Sequence, residues 1–431
     1  MSTPIIGLCG KTRLPRGREG RGRGGLVLRF DTDHNVPLTH CVSANIWGVE
    51  HLAAAYHEHH SDLCALLEVI AESFLRCYRG LAQMPGEATI NYAHPKVEIA
   101  ALCDVNPQAL AELGRYFGLP DSALFTRYHE FVNAPLDIVV IATPIEYHAQ
   151  QAVQAMESGK HVLCEQTAAY TVDDCRILVE TVKRTGRKYM MAENYCYFHY
   201  VREWKKLIEQ GKLGQIFYAE GEYIHEIENL LIDPVTGERY WRYRRASIWY
   251  CGHTLGPLLT LMDDWIVRAT GAQAGRHMHP TETVAFIDME VGLFQTEKGA
   301  VIKILRSQVA RRYPDMIFYS LYGTKGFVEN GREGGWGATK GRLFLEGEME
   351  KEKGAIEIDC PTVDPNAPEE AKQGGHGTSE YYMVRDFIAA IENDTTPPID
   401  VVRAVDMTLP GILAHESAMK GGVWLDVPRF E

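Results

Sequence analysis

At 431 residues the chain is longer than one hydrophobic core supports, roughly 250–300 residues, so two domains are expected. Hydrophobic residues make up 45% and charged residues 23%, with 21 Tyr and 7 Trp, a composition that excludes wholesale disorder. The formal net charge of −13 repels a polyanion and no apolar run reaches about 18 residues, so neither nucleic acid nor a membrane is an expected partner.

Ten Cys run from Cys9 to Cys360 without a CxxC, several of them inside apolar runs, and the N-terminus has no apolar leader pattern. A cytoplasmic protein with reduced thiols is expected, with the whole chain as its mature form.

In chain order, Pro4-Ile-Ile-Gly-Leu-Cys-Gly10 reads as a strand with early glycines, and Gly20-Arg-Gly-Arg-Gly-Gly25 matches G-x-G-x-x-G with no strand directly before it. Gly7, Gly10 and Gly22 are the candidates for a close backbone approach to a pyrophosphate, with Arg16, Arg18, Arg21 and Arg23 as neutralising charges or as part of a surface loop. Leu63, Leu66, Leu67, Ile70, Phe74 and Leu81 have amphipathic helical spacing, so residues 26–93 read as a helical insertion. Its His57, His59 and His60 read as a solvated helix face, and no metal is expected.

From Val97 the apolar run to Cys103, the helical spacing after Asn106-Pro107, the run Asp137 to Thr143, the helix from Ala149 to Met156 and the run His161 to Cys164 form a βαβαβ alternation. Helical text over 172–182, a strand over 188–191 and a helix over 200–210 extend it, which predicts a doubly wound parallel sheet. Asp104 closes one of these strands. There it would accept a ribose 2′-OH and repel a 2′-phosphate, favouring NAD as cofactor, or else it caps the next helix.

Beyond Gly214 the runs 216–224, 284–294, 299–307 and 317–322 are separated by Gly-containing turns and predict a mostly antiparallel sheet. The Gly-, Glu- and Lys-rich stretch 331–373 reads as a surface excursion before a helix at 381–391. The expected division is a Rossmann domain over 1–168 and an α+β domain over 169–431.

Ala101-Leu-Cys-Asp-Val-Asn-Pro107, Val140-Ile-Ala-Thr-Pro144 with Tyr147-His148, and Ser158-Gly-Lys-His-Val-Leu-Cys-Glu165, in this order and spacing, resemble the Gfo/Idh/MocA oxidoreductase family. The likeness continues through Asn194, Tyr322-Gly-Thr-Lys-Gly326 and Pro397-Pro-Ile-Asp400. It implies an N-terminal Rossmann domain, a C-terminal domain whose open sheet mediates homo-oligomers, and NAD or NADP acting on a sugar or related polyol. It also implies that Thr143, Pro144, His148, Glu165 and Asn194 line the cofactor.

Most sugar dehydrogenases of that family carry Glu-Lys-Pro where this chain has Glu165-Gln166-Thr167, so their ordering lysine is absent. The chain instead resembles a branch of NAD-dependent glycoside hydrolases related to α-N-acetylgalactosaminidase. That resemblance rests on Glu193-Asn194-x-x-Tyr197, Tyr223-x-His225, His253-x-Leu-Gly-Pro257 and Gly375-His-Gly377.

Hydride transfer from a sugar carbinol needs a base for the hydroxyl proton. Without the lysine the candidates are Tyr197 and His253, assisted by Glu165 and His225, with a small carbohydrate or glycoside as substrate. Oxidation at C3 acidifies the C2 proton and permits elimination, hydration and re-reduction, a net hydrolysis that needs no pair of catalytic carboxylates. A dehydrogenase releasing a keto sugar would use the same residues, and an inert NAD-binding sensor with 26–93 as its partner surface is the non-enzymatic alternative.

Overall fold

The computed structural model describes residues 5–10, 12–13, 29–30 and 98–430, apart from 233–236, 334–338 and 374–375. Gly22, His57, His59 and His60 lie outside the described residues, as does the expected insertion except for Arg29–Phe30, which is a strand. Among the described residues no helix is long and apolar enough to cross a membrane.

The chain forms two compact units, one of residues 1–165, 177–192 and 366–401, the other of 166–176, 193–365 and 402–431. This differs from a single break at 168/169. The strand after residue 188 pairs in register with the strand ending at Glu165, and the Met191 amide donates to the Ile399 carbonyl at 3.0 Å, which keeps both segments with the first sheet.

In the first unit, β1 (Ile5–Gly10) is followed by a short antiparallel pair, β2 (Thr12–Arg13) with β3 (Arg29–Phe30). Then come β4 (Glu98–Asp104), β5 (Leu124–Phe125), β6 (Ile138–Ala142), β7 (His161–Glu165) and β8 (Tyr189–Ala192). The sheet order is β5-β4-β1-β6-β7-β8 and every pairing is parallel. This is the doubly wound order in which ligands bind beyond the strands' carboxyl ends, where the winding reverses between β1 and β6.

The local rules explain the alternation. Ile138 to Ile141 are all buried, as a strand covered on both faces requires. Asn106 caps helix Pro107–Phe117, accepting from the amides of Gln108 and Ala109 at 3.0 and 3.3 Å, and Gly118 ends it in the left-handed region at φ 66°. That helix places Leu110, Leu113 and Phe117 against Ile99, Leu102 and Leu124.

The second unit carries β9 (Ile216–Ile224), β10 (Ile266–Gln273), β11 (Glu290–Thr296), β12 (Val301–Ser307), β13 (Met316–Gly323), β14 (Gly326–Asn330), β15 (Thr339–Leu345), β16 (Ile356–Cys360) and β17 (Leu425–Asp426). Their order is β16-β15-β14-β13-β9-β12-β11-β10-β17, antiparallel except for β9 with β12. Two expectations change. Stretch 331–373 is more than an excursion, since it supplies β15 and β16 at one sheet edge. In β15 the buried Gly341, Leu343 and Leu345 alternate with Lys340, Arg342 and Phe344, a period of two hidden by the charged composition. The strand expected from 284 begins only at Glu290, because Val284–Phe286 forms a 3-10 turn whose Ala285 and Phe286 pack with Leu231, Tyr243 and Val309.

Candidate active site

In the first unit, Gly10 ends β1 between Asp104, the last residue of β4, and Ala142, the last of β6. Gly7 lies inside the same strand, opposite Ala101 and Val139. Asp104 is buried and its Oδ1 accepts the Asn106 amide at 2.7 Å, which aims the carboxylate at the strand end. Thr143 and Pro144 follow β6, and His148 is fully buried with Nε2 2.6 Å from the Thr143 carbonyl, so it holds that turn from inside. Glu165 closes β7 and is buried. A glycine flanked by an acid at the reversal of the winding is the arrangement that fits a dinucleotide, the glycine admitting phosphate and the acid the ribose hydroxyls.

The second unit holds a buried polar cluster built on helix Gly252–Met262 and the turn Asn194–Tyr197. Glu193 Oε1 lies 2.7 Å from His253 Nδ1, and the same oxygen accepts the Tyr195 amide at 3.2 Å. Gly252 and Gly256, one helical turn apart, make this possible. A Cβ on Gly252 would stand 2.5 Å from Glu193 Oε2, and one on Gly256 2.8 Å from Glu193 Cγ. Pro257 has no N–H to return to the His253 carbonyl, and the Tyr319 hydroxyl donates to that carbonyl instead. The His253 ring stacks on Tyr195 with centroids 3.8 Å apart and planes within 10°.

A second relay meets the first through Tyr223, whose ring centroid is 5.6 Å from that of His253. The Tyr223 hydroxyl is 2.9 Å from His225 Nδ1, and His225 Nε2 is 3.2 Å from Asp315 Oδ2. The carboxylate takes the Nε2 proton, so Nδ1 is the nitrogen that accepts from the phenol. Burial holds both the Tyr223 and Tyr195 phenols above their ordinary range, with the Arg306 guanidinium pulling Tyr223 the other way. Asn194 and Tyr197 are buried on the turn beside Tyr195.

Gln166, at the position of the missing lysine, is fully buried, and neither polar atom of its amide has a hydrogen-bond partner among the described residues. A Cβ on Gly252 would lie 2.3 Å from Gln166 Oε1, so the amide and Glu193 converge over that glycine.

Of the expected residues, His253 and His225 therefore join one cluster, Tyr197 and Asn194 sit on its supporting turn, and Asp104, Thr143, Pro144 and Glu165 end the parallel strands. Sequence reasoning missed Glu193 and Tyr195 as the partners of His253, together with Asp315 and Arg306. Arg306 did leave a signal: Ile302, Ile304 and Arg306 alternate on the buried face of β12.

The oxidoreductase family model Gfo/Idh/MocA, with its NAD-binding Rossmann fold, matches residues 80–193, and the glycosyl hydrolase 109 C-terminal domain model matches residues 260–431. A glycosyl hydrolase family 109 protein of Shewanella pealeana is 28% identical over 373 residues, 78% of this chain and 80% of that protein. The fold is shared with a levoglucosan dehydrogenase solved with NADH and L-sorbose, at TM-score 0.70 and 19% identity over all of both chains. An oxidoreductase domain protein from Kribbella flavida matches at TM-score 0.69 and 16% identity, also over all of both chains. Residues 80–193 thus match the NAD-binding Rossmann domain of the Gfo/Idh/MocA oxidoreductases and residues 260–431 the C-terminal domain of glycosyl hydrolase family 109, and the chain is an NAD-dependent enzyme.

Proposed function

We propose that this enzyme acts on a glycoside, oxidising a ring carbinol at C3 and carrying the sugar through elimination, hydration and re-reduction to net hydrolysis. The observation that carries the reading is the Glu193–His253 pair, buried at 2.7 Å and stacked on Tyr195, in a cluster whose acid is committed to a histidine. An ordinary glycosidase needs two carboxylates facing the scissile bond, whereas a carbinol oxidation needs one positioned base.

Gly10, Asp104, Thr143, Pro144 and Glu165 would hold the dinucleotide, with His148 bracing the turn after β6. NAD, when bound, supplies uptake and return of a hydride. Glu193 accepts the Nδ1 proton of His253, which leaves Nε2 as the basic nitrogen for the C3 hydroxyl proton. The carboxylate then stabilises the imidazolium that forms. In the second relay, Tyr223 takes up a substrate proton as its own passes to His225, whose other nitrogen is held by Asp315. Tyr197 and this relay serve the proton transfers at C2 and at the leaving oxygen.

The buried thiols of Cys103, Cys164, Cys175, Cys196, Cys251 and Cys360 support a reducing, cytoplasmic setting. The open face of the large sheet, where Leu293 and Tyr322 are exposed on either side of Lys303 and Glu220, supports a homo-oligomer through that face.

The test is a glycoside deuterated at C2. Loss of label to solvent with no net NADH supports the oxidation–elimination route. Stoichiometric NADH with the label retained would establish a dehydrogenase that stops at the keto sugar.

A further inference from the structure

Arg306 stands where the pattern of β12 calls for an aliphatic side chain, in line with Ile302 and Ile304 on the buried face. It is 2% exposed, its Nε and Nη1 are buried without a hydrogen-bond partner, and it makes no ion pair among the described residues. Its guanidinium carbon lies 4.2 Å from the Tyr223 ring centroid and 5.8 Å from that of Tyr250, while the buried Glu290, opposite it in register on β11, gives its carboxylate oxygens to His415 Nδ1 and the Ile248 amide. A second buried guanidinium, Arg245, lies 4.3 Å from the Tyr250 centroid. Tyr223 and Tyr250 both pack on the His253 ring, at 5.6 and 5.4 Å.

A cation–π contact returns only part of what it costs to bury an unpaired guanidinium, so Tyr223 and Tyr250 leave most of that penalty standing. The charge is permanent, because a guanidinium does not deprotonate in a protein. A transient negative charge on a reaction intermediate is absent from the bound ground state and does not offset it there. A formal anion carried by the ligand does, and one guanidinium balances one negative charge. The planar fork also matches a carboxylate with two parallel hydrogen bonds.

We infer that Arg306 is a ligand-binding cation and that the sugar taken by this site carries a carboxylate, as a hexuronate does, seated on the guanidinium beside His253. This rests on the reading of the His253 cluster as the sugar site. The rival source of the anion is the dinucleotide's own phosphates.

The experiment is calorimetric binding to the NAD-loaded enzyme of methyl glucuronide and methyl galacturonide, each compared with its methyl ester and with the neutral methyl hexoside. At least one uronide should bind about 10–100-fold more tightly than its ester, the range expected for hydrogen bonds to a charged group. Arg306→Gln should erase that preference, and Arg306→Lys should retain part of it, with NAD affinity unchanged in both. Uronides that bind no better than their esters to the wild type overturn the inference. So does an Arg306→Gln enzyme that loses NAD while keeping the uronide preference, which would assign the guanidinium to the dinucleotide. Should Arg306→Gln fail to fold, the wild-type comparison and Arg306→Lys decide. Binding needs no turnover: uronides held by Arg306 without C2 exchange would sink the proposed reaction and leave this inference standing, and C2 exchange confined to neutral glycosides would do the reverse.

Discussion

Glu193 and His253, 60 residues apart in sequence, meet at 2.7 Å between Oε1 and Nδ1, with both side chains shielded from water. In such a place the carboxylate does two things. It chooses which ring nitrogen carries the proton, and it lowers the energy of the imidazolium formed when Nε2 takes another. Removing one partner leaves the other buried without its ion-pair partner, which costs about 3–5 kcal/mol.

Glu193→Ala is therefore expected to lower stability by about that amount, seen as a fall in Tm. Glu193→Gln keeps shape and hydrogen bonding and should fold, yet turn over about 10²–10⁴-fold more slowly, as should His253→Gln and Tyr197→Phe. NAD should stay bound in all three, as measured by cofactor fluorescence. A near-wild-type rate in any of them takes that residue out of the proton transfers.

Gly252 is the point over which Gln166 and Glu193 converge, with Gln166 Oε1 at 2.3 Å and Glu193 Oε2 at 2.5 Å from where a Cβ would stand. Gly252→Ala should push both side chains aside and lower kcat well below the wild type in a chain that still folds. Gln166→Lys should not rescue the chemistry of lysine-bearing relatives, because an ammonium here would compete with His253 for the Glu193 carboxylate. Turnover equal to or below the wild type is expected, and a clear gain would contradict the role given to Glu193.

Asp104 sits beside Gly10 at the end of β4. Asp104→Ala should weaken NAD binding by about 1–3 kcal/mol, the loss of a charge-assisted hydrogen bond to a ribose hydroxyl. The wild type should also discriminate against NADP, and the variant less so. Titrating both dinucleotides into both proteins checks this, and a wild type that prefers NADP would refute it.

Asp406 is buried, and although its Oδ1 accepts the Ile266 amide at 3.2 Å, desolvation pushes its carboxyl up to about 7. In the unfolded chain the same group titrates near about 4. Between these values the folded protein holds a proton that the unfolded chain has released, so stability falls as pH rises through about 4 to 7 and levels off above. Asp406→Asn keeps an acceptor for Ile266 and removes the titration. Its Tm advantage over the wild type should widen from pH 4 to 7 and then stay constant, whereas a gap independent of pH would show that Asp406 is not the group responsible.

The parallel sheet was legible in the amino-acid text because its signals are local. Runs such as Ile138 to Ile141 are apolar without alternation and Asn106-Pro107 opens a helix, and these patterns imply the same elements wherever they occur. The motifs containing Asp104, Pro144 and Glu165 marked the strand ends that a dinucleotide would use, for the same reason. The edge strands β15 and β16 were hidden, since a strand with one face in water tolerates Lys340, Arg342 and Glu357 and reads as a loop. The pairings of the second unit were illegible in principle. His253 was a candidate from its motif, but which of 57 acidic residues would meet it depended on two glycines of its own helix letting Glu193 approach. Asp315 reached His225 only because β13 pairs with β9, and Arg306 reached Tyr223 only because β12 lies on the other side of β9 in register. Chain order and hydropathy carry secondary structure. The chemistry of this site depends on contacts between residues distant in sequence, and those exist only once the second sheet has assembled.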